Sequence, residues 1–281
     1  MNFYQLKLNK MKILITGSNG YLGEKLLSEL KKDYTIIAPK KTELDLTDSD
    51  QVDKFMKNKF FDWVIHCAII GGRRLDIDDS RITYHNLKIF FNLMNNRESF
   101  KKMINFSSGA EFDRRREINN ETNNLLNSFP VDYYGMSKNI ISKLIKDYPY
   151  YNLRLYGIFG PGEKDDRFIK MCINNSKTGK DIVINDNKLF DFFYVEDLLK
   201  IIKYLISNKM QQINFDFDVV YKEKLRLSQI ANYINELSNS KTQVLIENSL
   251  CNSYTGTYNK SFDNLSLVGL KDGIRKIFEA H

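Results

Sequence analysis

Residues 12–23 read Lys-Ile-Leu-Ile-Thr-Gly-Ser-Asn-Gly-Tyr-Leu-Gly, a short apolar run that leads into three closely spaced glycines. A helical pattern follows and continues to about Lys31, so the order is strand, tight turn and helix. The spacing Gly17-x-x-Gly20-x-x-Gly23 permits a sharp turn, close approach of a diphosphate and tight helix–strand packing. The same spacing also occurs in ordinary turns, but its position between a strand and a helix favours phosphate binding at the helix start.

Further apolar runs alternate with helix-length amphipathic segments along the first half of the chain. The runs lie at 34–38, 62–70, 102–106 and 151–158, and the amphipathic segments lie near 49–58, 79–96 and 134–147. Strands that alternate with helices form a parallel sheet with right-handed crossovers. We therefore predict an α/β fold, a Rossmann-type doubly wound parallel sheet with a smaller C-terminal substrate lobe.

The pattern changes after Gly160-Pro161, where shorter elements rich in Asn, Lys and Ser follow. Helices are predicted in this part at 165–178, 195–207, 226–238 and 270–279. We predict a dinucleotide-binding domain over residues 11–160, to which residues 183–207 return. Residues 161–182 and 208–281 are predicted to form the substrate-binding lobe, and residues 1–10 an N-terminal extension.

Composition excludes several classes of protein. The chain has 281 residues, of which 42% are hydrophobic, so it can bury a core, and its net charge of +7 hints at an anionic ligand. No basic helix face points to nucleic acid. Its three cysteines, Cys67, Cys172 and Cys251, are too widely spaced to predict a disulfide framework or a metal site. Without a signal-peptide pattern or an apolar run of about 20 residues, we expect a soluble cytoplasmic protein with no membrane partner.

The end of the second predicted strand bears on the choice of cofactor. A site for NAD usually places Asp or Glu here, but this chain reads Ala38-Pro39-Lys40-Lys41. Lys40 and Lys41 would attract the 2′-phosphate of NADP, unless they are only two solvated surface lysines. The carboxylate of Asp45, a few residues later, either accepts a hydrogen bond from the adenine amino group or caps a helix.

Tyr134 and Lys138 stand four residues apart at the start of a predicted helix, so both side chains project from one face. Tyr133 has Ser137 at that offset and lacks a lysine partner. A phenol titrates near pH 10, and an adjacent ammonium together with a cationic nicotinamide ring would lower that pKa toward neutrality. The pair lies downstream of Asn105-Phe-Ser107-Ser108, a strand end that delivers hydroxyls to the same edge of the sheet.

Together these motifs resemble the extended short-chain dehydrogenase/reductase family, the NAD-dependent epimerases and dehydratases that act on nucleotide-activated sugars. The resemblance runs from about Lys12 to the C-terminus. Besides the glycine turn and the Tyr134/Lys138 pair, it rests on Val64-Ile-His66-Cys67-Ala68, Asn86, Leu155-Tyr-Gly-Ile-Phe-Gly160-Pro161 and Asp191-Phe-Phe-Tyr-Val195-Glu-Asp197. Within the family, residues 40–48 look most like the GDP-fucose synthase-like sugar-nucleotide 4-keto reductases, NADPH enzymes with a basic residue where Lys41 falls.

The resemblance implies NADPH or NADP as cofactor, a nucleoside-diphosphate sugar as substrate, and a homodimer. It assigns Ser108, Tyr134 and Lys138 to catalysis. The expected cofactor contacts, besides Tyr134 and Lys138, are Gly17, Ser18, Asn19, Gly20, Tyr21, Leu22, Gly23, Lys40, Lys41, Asp45, Leu46, Cys67, Ala68, Ile69 and Asn86. The expected substrate contacts are Ser107, Gly109, Arg73, Arg167 and Lys188.

Departures from the family pattern refine these expectations. Family dehydratases place an Asp-Glu pair directly after the catalytic serine or threonine, whereas Gly109 and Ala110 follow Ser108 here. GDP-fucose synthase places a cysteine for C3/C5 epimerisation at the position of Ala110. Both elimination and epimerisation at C3 or C5 are therefore not expected, and hydride and proton transfer at one carbon remains.

Two further departures affect the sugar nucleotide. Gly157 replaces a usual asparagine, and Phe190 replaces the arginine that normally precedes Asp191 and contacts the diphosphate. The side chains of Lys188 and Arg167 are candidates to take over that contact.

These observations predict an NADP-dependent oxidoreductase that reduces the 4-keto group of a nucleoside-diphosphate 4-keto-6-deoxy sugar, in the biosynthesis of surface-polysaccharide sugars. Ser108 would hydrogen-bond the carbonyl oxygen, Tyr134 would protonate the nascent alkoxide, and Lys138 would bind the nicotinamide ribose. Two alternatives stay open. One is a nucleotide-sugar 4-epimerase that retains NAD, and the other is a non-catalytic NADP-binding sensor.

Overall fold

A computed structural model describes residues 10–72, 78–118, 125–207 and 215–281. The strands in these ranges are β1 Lys12–Thr16, β2 Thr35–Ile37, β3 Phe61–His66, β4 Phe100–Ser108, β5 Tyr151–Leu155, β6 Gly157–Phe159, β7 Ile182–Asp186, β8 Phe192–Tyr194, β9 Asp216–Asp218 and β10 Val244–Asn248. The helices are α1 Tyr21–Leu30, α2 Ser49–Met56, α3 Ser80–Asn95, α4 Tyr133–Ile145, α5 Phe168–Thr178, α6 Val195–Ile206, α7 Leu227–Ser238 and α8 Leu270–Ala280.

The main sheet has six strands in the order β2-β1-β3-β4-β5-β9. Its register is parallel: Ile13 on β1 lies between Ile36 on β2 and Trp63 on β3. Two smaller parallel pairs, β6 with β8 and β7 with β10, complete the strands of the described residues. The predicted Rossmann-type α/β fold is confirmed.

The first compact unit comprises the chain up to Ile69 together with Lys88–Asn105. Its centre is β1, where Ile13, Leu14 and Ile15 are fully buried because helices cover a parallel strand on both faces. The strand order reverses at β1, since β2 lies on one side of it and β3 on the other. Ligands of doubly wound sheets bind at the carboxyl ends of strands at such a reversal, which is where the glycine turn begins.

The second compact unit comprises Ile70–Leu87 and Phe106–His281. The apolar run predicted as one strand over 151–158 divides in the structure after Leu155. The first part, β5, pairs with β9, whereas β6 begins at Gly157 and pairs with β8. The chain thus changes partner strand at Tyr156, which periodicity alone does not reveal. The domain boundaries predicted from the sequence stay a prediction.

Among the helices of the described ranges, none combines the length and hydropathy needed to cross a bilayer. The same ranges contain no group of three or more His, Cys, Asp or Glu side chains arranged to hold a metal ion.

Candidate active site

The glycine turn depends on two positions that tolerate no side chain. Gly17 has a φ of +66°, and a Cβ there would lie 2.6 Å from the backbone nitrogen of Ala68. A Cβ at Gly23 would overlap the carbonyl oxygen of Gly17. The amide of Gly20 donates to that same oxygen at 3.0 Å and closes the turn. Because the N-cap of α1 is Gly20, which has no side chain to cap the helix, the amides of the first turn fit an anionic diphosphate.

The residues that follow β3 pack directly on this turn. Cys67 donates its amide to the carbonyl oxygen of Thr16 at 3.2 Å, and the amide of Ala68 lies 3.3 Å from the Thr16 hydroxyl. His66 is buried with its Nδ1 2.8 Å from that hydroxyl, as a core histidine would be. The structure therefore brings Cys67 and Ala68 against Gly17, and their contact with the cofactor stays a prediction. The other predicted cofactor residues nearby are placed as follows: Asn19 in the turn, Tyr21 and Leu22 in the first turn of α1, and Ile69 after β3.

Ser18 ties the glycine turn to the end of β2. Its hydroxyl donates to the carbonyl oxygens of Ala38 at 3.3 Å and Pro39 at 3.4 Å. Lys40 and Lys41 come next and are exposed. In the part of the chain that the structure describes, neither lysine ammonium forms an ion pair, so both are available to an anionic group.

The sequence allows two roles for the carboxylate of Asp45, a hydrogen bond with adenine or the cap of a helix. The helix cap is Asp48, whose Oδ1 accepts the amide of Gln51 at 3.1 Å at the start of α2. Asp45 accepts both the amide and the hydroxyl of Thr47, at 2.9 and 2.7 Å. It therefore shapes the turn before α2, and its contact with adenine stays a prediction, as does that of the buried Leu46.

Asn86 is buried in α3, where its side chain hydrogen-bonds to two other parts of the chain. Its side-chain amide exchanges two hydrogen bonds of 2.9 Å with the backbone of Ile70, and its Nδ2 donates to the hydroxyl of Ser137 at 3.1 Å. The side chain thus holds the segment after β3 against α4. Its predicted contact with the cofactor stays a prediction.

Tyr134 is positioned by the start of α4. The carboxylate of Asp132 caps the helix by accepting the amide of Gly135 at 2.7 Å. A Cβ at Gly135 would overlap the carbonyl oxygen of Ala110, so glycine lets the helix start approach the turn after β4. Gly72 approaches the phenol ring so closely that a Cβ there would lie 2.6 Å from a ring carbon. These contacts leave the ring of Tyr134 little freedom.

Ser108 is the last residue of β4, and three polar groups lie close to its hydroxyl. Its Oγ accepts the amide of Ala110 at 3.2 Å. The phenol of Tyr134 hydrogen-bonds to the same hydroxyl, and the phenol oxygen of Tyr254 lies 3.4 Å from it. The structure therefore unites Ser108 and Tyr134, as the sequence predicts, and adds a second phenol.

Lys138 lies one helical turn after Tyr134 and is buried. Its ammonium donates to the carbonyl oxygen of Phe106 at 2.5 Å and lies 5.8 Å from the centre of the Tyr134 ring. Tyr133, which is 45% exposed, does not share this environment. Tyr134 and Lys138 therefore lie together on one face of α4, as their spacing predicts.

The pKa of the Tyr134 phenol is raised in the structure, whereas the sequence predicts that it is lowered. Burial raises the pKa of the Tyr134 phenol to about 12, and the hydrogen bond from Ser108 only partly opposes this. The sequence predicts a lower pKa from the adjacent ammonium together with a cationic nicotinamide ring. Loss of hydration, which disfavours the charged phenolate, is the largest cause, and the positive charge of Arg114 only partly opposes it. The phenol is therefore protonated at neutral pH and is suited to give a proton away.

The predicted substrate residues lie in different environments. Ser107 is buried, and its hydroxyl contacts the carboxylate of Glu111 and, at 2.8 Å, the hydroxyl of Ser142. Gly109 packs against the ring of Tyr156, which a Cβ would overlap. Arg167 is exposed at the N-terminus of α5, Lys188 is half-buried after β7, and Arg73 lies outside the described residues.

Two side chains at this site were not predicted. Tyr254 is one of 16 tyrosines and lies far along the chain in an irregular segment, so no sequence signal marks it. Arg114 belongs to a run of three arginines that resembles a solvated loop. Its guanidinium donates to Asp132 at 2.7 Å, and its charge acts on the phenols of Tyr134 and Tyr254.

Known proteins that are similar to this chain identify its family. The family model described as NAD dependent epimerase/dehydratase family matches residues 13–217. GDP-L-colitose synthase of Yersinia pseudotuberculosis is 26% identical to this chain. The alignment is 305 residues long and covers 95% of this chain and 96% of the relative.

Two solved structures from Campylobacter jejuni share the fold. One, a GDP-D-glycero-L-gluco-heptose synthase in the presence of NADPH, has a TM-score of 0.82 at 17% identity and covers 96% of this chain and 97% of that one. The other, a GDP-mannoheptose C4 reductase with NADP bound, has a TM-score of 0.81 at 15% identity and covers 97% and 98%.

The family match extends from β1 into β9 and so includes both the glycine turn and the Tyr134/Lys138 pair. The predicted nicotinamide dinucleotide cofactor agrees with the family. The chain is an oxidoreductase of the NAD-dependent epimerase/dehydratase family, the extended short-chain dehydrogenases and reductases.

Proposed function

We propose that the protein uses NADPH to reduce the 4-keto group of a nucleoside-diphosphate 4-keto-6-deoxy sugar, in the biosynthesis of surface-polysaccharide sugars. One observation carries the proposal: a phenol that is protonated at neutral pH, Tyr134, shares the hydroxyl of Ser108 and has the ammonium of Lys138 beside it. The names of the colitose synthase, heptose synthase and C4 reductase compared above support a sugar-nucleotide substrate.

The cofactor would be held in the first compact unit. Gly17 and Gly23 give backbone access, and the first-turn amides of α1 would bind the diphosphate. Lys40 and Lys41 would pair with the 2′-phosphate, in keeping with the NADPH and NADP found in the two Campylobacter structures. When bound, the reduced nicotinamide supplies the hydride.

The chain's own residues would hydrogen-bond and protonate the oxygen of the ketone. Ser108 donates a hydrogen bond to the carbonyl oxygen, which stabilises the negative charge that develops there. Tyr134 then gives its proton to that oxygen, which becomes a hydroxyl. Lys138 would bind the nicotinamide ribose, and its positive charge would stabilise the tyrosinate left behind.

Chemistry at C3 or C5 requires a base, and the residues that directly follow Ser108 offer none. Gly109 and Ala110 carry no ionisable group. The nearby carboxylate, Glu111, is fully buried and is occupied by Arg154, Ser107 and Ser142. The arrangement therefore supports reduction alone.

The proposal is tested by incubating the protein with NADPH and a panel of 4-keto sugar nucleotides that differ in base and in carbon number. We expect NADPH to be consumed in proportion to a product two mass units heavier than its substrate. Interconversion of 4-hydroxy sugars without added NADPH would instead identify an epimerase. Binding of NADPH with no turnover across the panel would identify a non-catalytic sensor.

The two lysines after β2 predict a preference for NADPH over NADH. Replacing both Lys40 and Lys41 with glutamate should weaken NADPH binding by about 1–3 kcal/mol, because charge-assisted contacts to the 2′-phosphate are lost. NADH binding should change little, since NADH has no such phosphate. Titration of each cofactor by fluorescence measures both affinities. Equal affinity of the unmodified protein for NADPH and NADH would refute the preference.

A further inference from the structure

The phenol of Tyr254 has one hydrogen-bond partner among the described residues, the hydroxyl of Ser108 at 3.4 Å. Tyr254 is buried, with 8% of its surface exposed, and Ser108 is equally enclosed. A buried hydroxyl is costly unless it is hydrogen-bonded, so its position beside the serine requires an explanation.

The backbone holds Tyr254 at this place from both sides. Its amide donates to the carbonyl oxygen of Leu189 at 2.8 Å, and its carbonyl oxygen accepts the amide of Asp191 at 3.2 Å. The amide of Gly256 then donates to the carboxylate of Asp191 at 2.8 Å. The segment around Tyr254 is thus fastened to the residues that lead into β8.

Three aromatic side chains, which we call the aromatic wall, pack around the ring of Tyr254. Tyr156 and Phe190 each have their ring centre 5.0 Å from that of Tyr254, and Phe192 stacks on Phe190 at 4.6 Å. A Cβ at Gly157 would lie 2.8 Å from the Phe190 ring and 2.9 Å from the Phe192 ring. The two departures from the family pattern, Gly157 and Phe190, are therefore parts of one feature: Phe190 supplies a ring of the wall that supports Tyr254, and Gly157 leaves the space for that ring.

The hydrogen-bonding capacity of Ser108 shows what the second phenol does. A serine hydroxyl has one proton and accepts two hydrogen bonds. The amide of Ala110 fills one acceptor position at 3.2 Å. Burial raises the pKa of Tyr254 above the ordinary phenol value, so its phenol keeps its proton and can donate to the second position. The serine proton is then left for the side on which Tyr134 lies.

We propose that Tyr254 is a positioning residue, whose phenol donates to the Oγ of Ser108 and so directs the serine proton to the ketone oxygen. This inference rests on the proposed reduction of a keto sugar. Tyr254 does not need to touch the substrate, because it acts through the serine.

Its kinetic signature separates positioning from a structural role. Tyr254→Phe should lower kcat about 10-fold, the size of one hydrogen bond, and leave KM for the keto sugar within about 2-fold. In a Ser108→Ala background the same change should alter kcat by less than about 2-fold, since the partner is gone. Equal losses in the two backgrounds, or no loss in either, would overturn the proposal.

Tyr156→Phe is the matched control. Its ring belongs to the same wall, but its hydroxyl lies 3.4 Å from the carboxylate of Asp218 rather than at Ser108. We expect Tyr156→Phe to alter kcat by less than about 2-fold in the wild-type background and in the Ser108→Ala background alike. If it reproduced the loss and the background dependence of Tyr254→Phe, the effect would belong to the wall as a whole and the assignment to Tyr254 would be wrong.

A measurement without turnover separates this inference from the proposed function. In protein labelled with ¹³C at the tyrosine Cζ, the signal that Tyr254→Phe removes belongs to Tyr254. Ser108→Ala should shift that signal and leave the Tyr156 signal in place. If the wild type reduces no keto sugar, the proposed function fails, and this shift still supports the Ser108–Tyr254 pair. An unmoved Tyr254 signal would overturn the pair even in an active enzyme.

Discussion

We expect Tyr134→Phe to lower the rate of the proposed keto-sugar reduction by about 10²–10⁴-fold, the usual contribution of a general acid. The reason is that the phenol is the group that gives the proton, whereas its ring packs against Gly72 with or without the hydroxyl. NADPH affinity should change little because the packing is retained. Stopped-flow or steady-state oxidation of NADPH measures the rate, and fluorescence titration measures the affinity.

Tyr133→Phe is the control for this variant. Tyr133 is the neighbouring residue of α4, its side chain is 45% exposed, and it lacks the lysine one turn later. The rate of keto-sugar reduction by Tyr133→Phe should stay within about 2-fold of the wild-type rate. Comparable losses in both variants, or an undiminished rate in Tyr134→Phe, would show that another group supplies the proton.

Arg154→Met destabilises the fold by about 3–5 kcal/mol, because it leaves buried carboxylates without their cation. Arg154 on β5 binds Asp218 at 2.6 Å and Asp216 at 2.8 Å on β9, and it also pairs with Glu111. Glu111 lies in the turn directly after Ser108, so the network also supports the end of β4, where the proposed catalytic serine lies. Urea unfolding monitored by circular dichroism measures the loss.

The pH dependence of this loss has a defined sign. Burial already raises the pKa of Glu111, and removing Arg154 raises it further. The folded variant then binds a proton that the unfolded chain does not, so its stability falls as the pH rises. The deficit relative to the wild type should therefore be smaller in mildly acidic buffer than in alkaline buffer.

An exposed ion pair provides the control for Arg154. The guanidinium of Arg115 lies 2.7 Å from the carboxylate of Asp113, but its side chain is 63% exposed. Arg115→Ala should cost at most about 1 kcal/mol, because water screens such pairs. A similar cost for both variants would mean that the buried network contributes no more than a surface pair.

Local sequence patterns predict the elements that carry the cofactor and the reacting groups. β1 coincides with the predicted run over residues 12–16, and α4 begins at Tyr133, one residue before the predicted start. Gly17, Gly23 and Gly135 are required for close backbone contacts, and such requirements recur at fixed positions in a motif. Ser108 and Tyr134 meet because the turn after β4 and the start of α4 pack together.

Features set by long-range packing could not be predicted in this way. Tyr254 reaches Ser108 across 146 positions of sequence, so no local pattern connects them. The raised pKa of Tyr134 depends on burial, which the spacing of tyrosine and lysine does not report. The change of partner strand at Tyr156 likewise depends on rings from β8 and its flanks that meet Gly157.

The most direct test of the proposed reduction follows hydrogen isotopes into the product. The protein is given a 4-keto sugar nucleotide and NADPH that carries deuterium at both C4 positions of the nicotinamide, and the product is examined by mass spectrometry and NMR. The proposed reaction predicts one deuterium at C4 of the sugar for each NADP formed. In a second reaction in heavy water it predicts no deuterium at C3 or C5, because Ala110 supplies no base. A product without cofactor deuterium at C4, or with solvent deuterium at C3 or C5 above a control without enzyme, would contradict it.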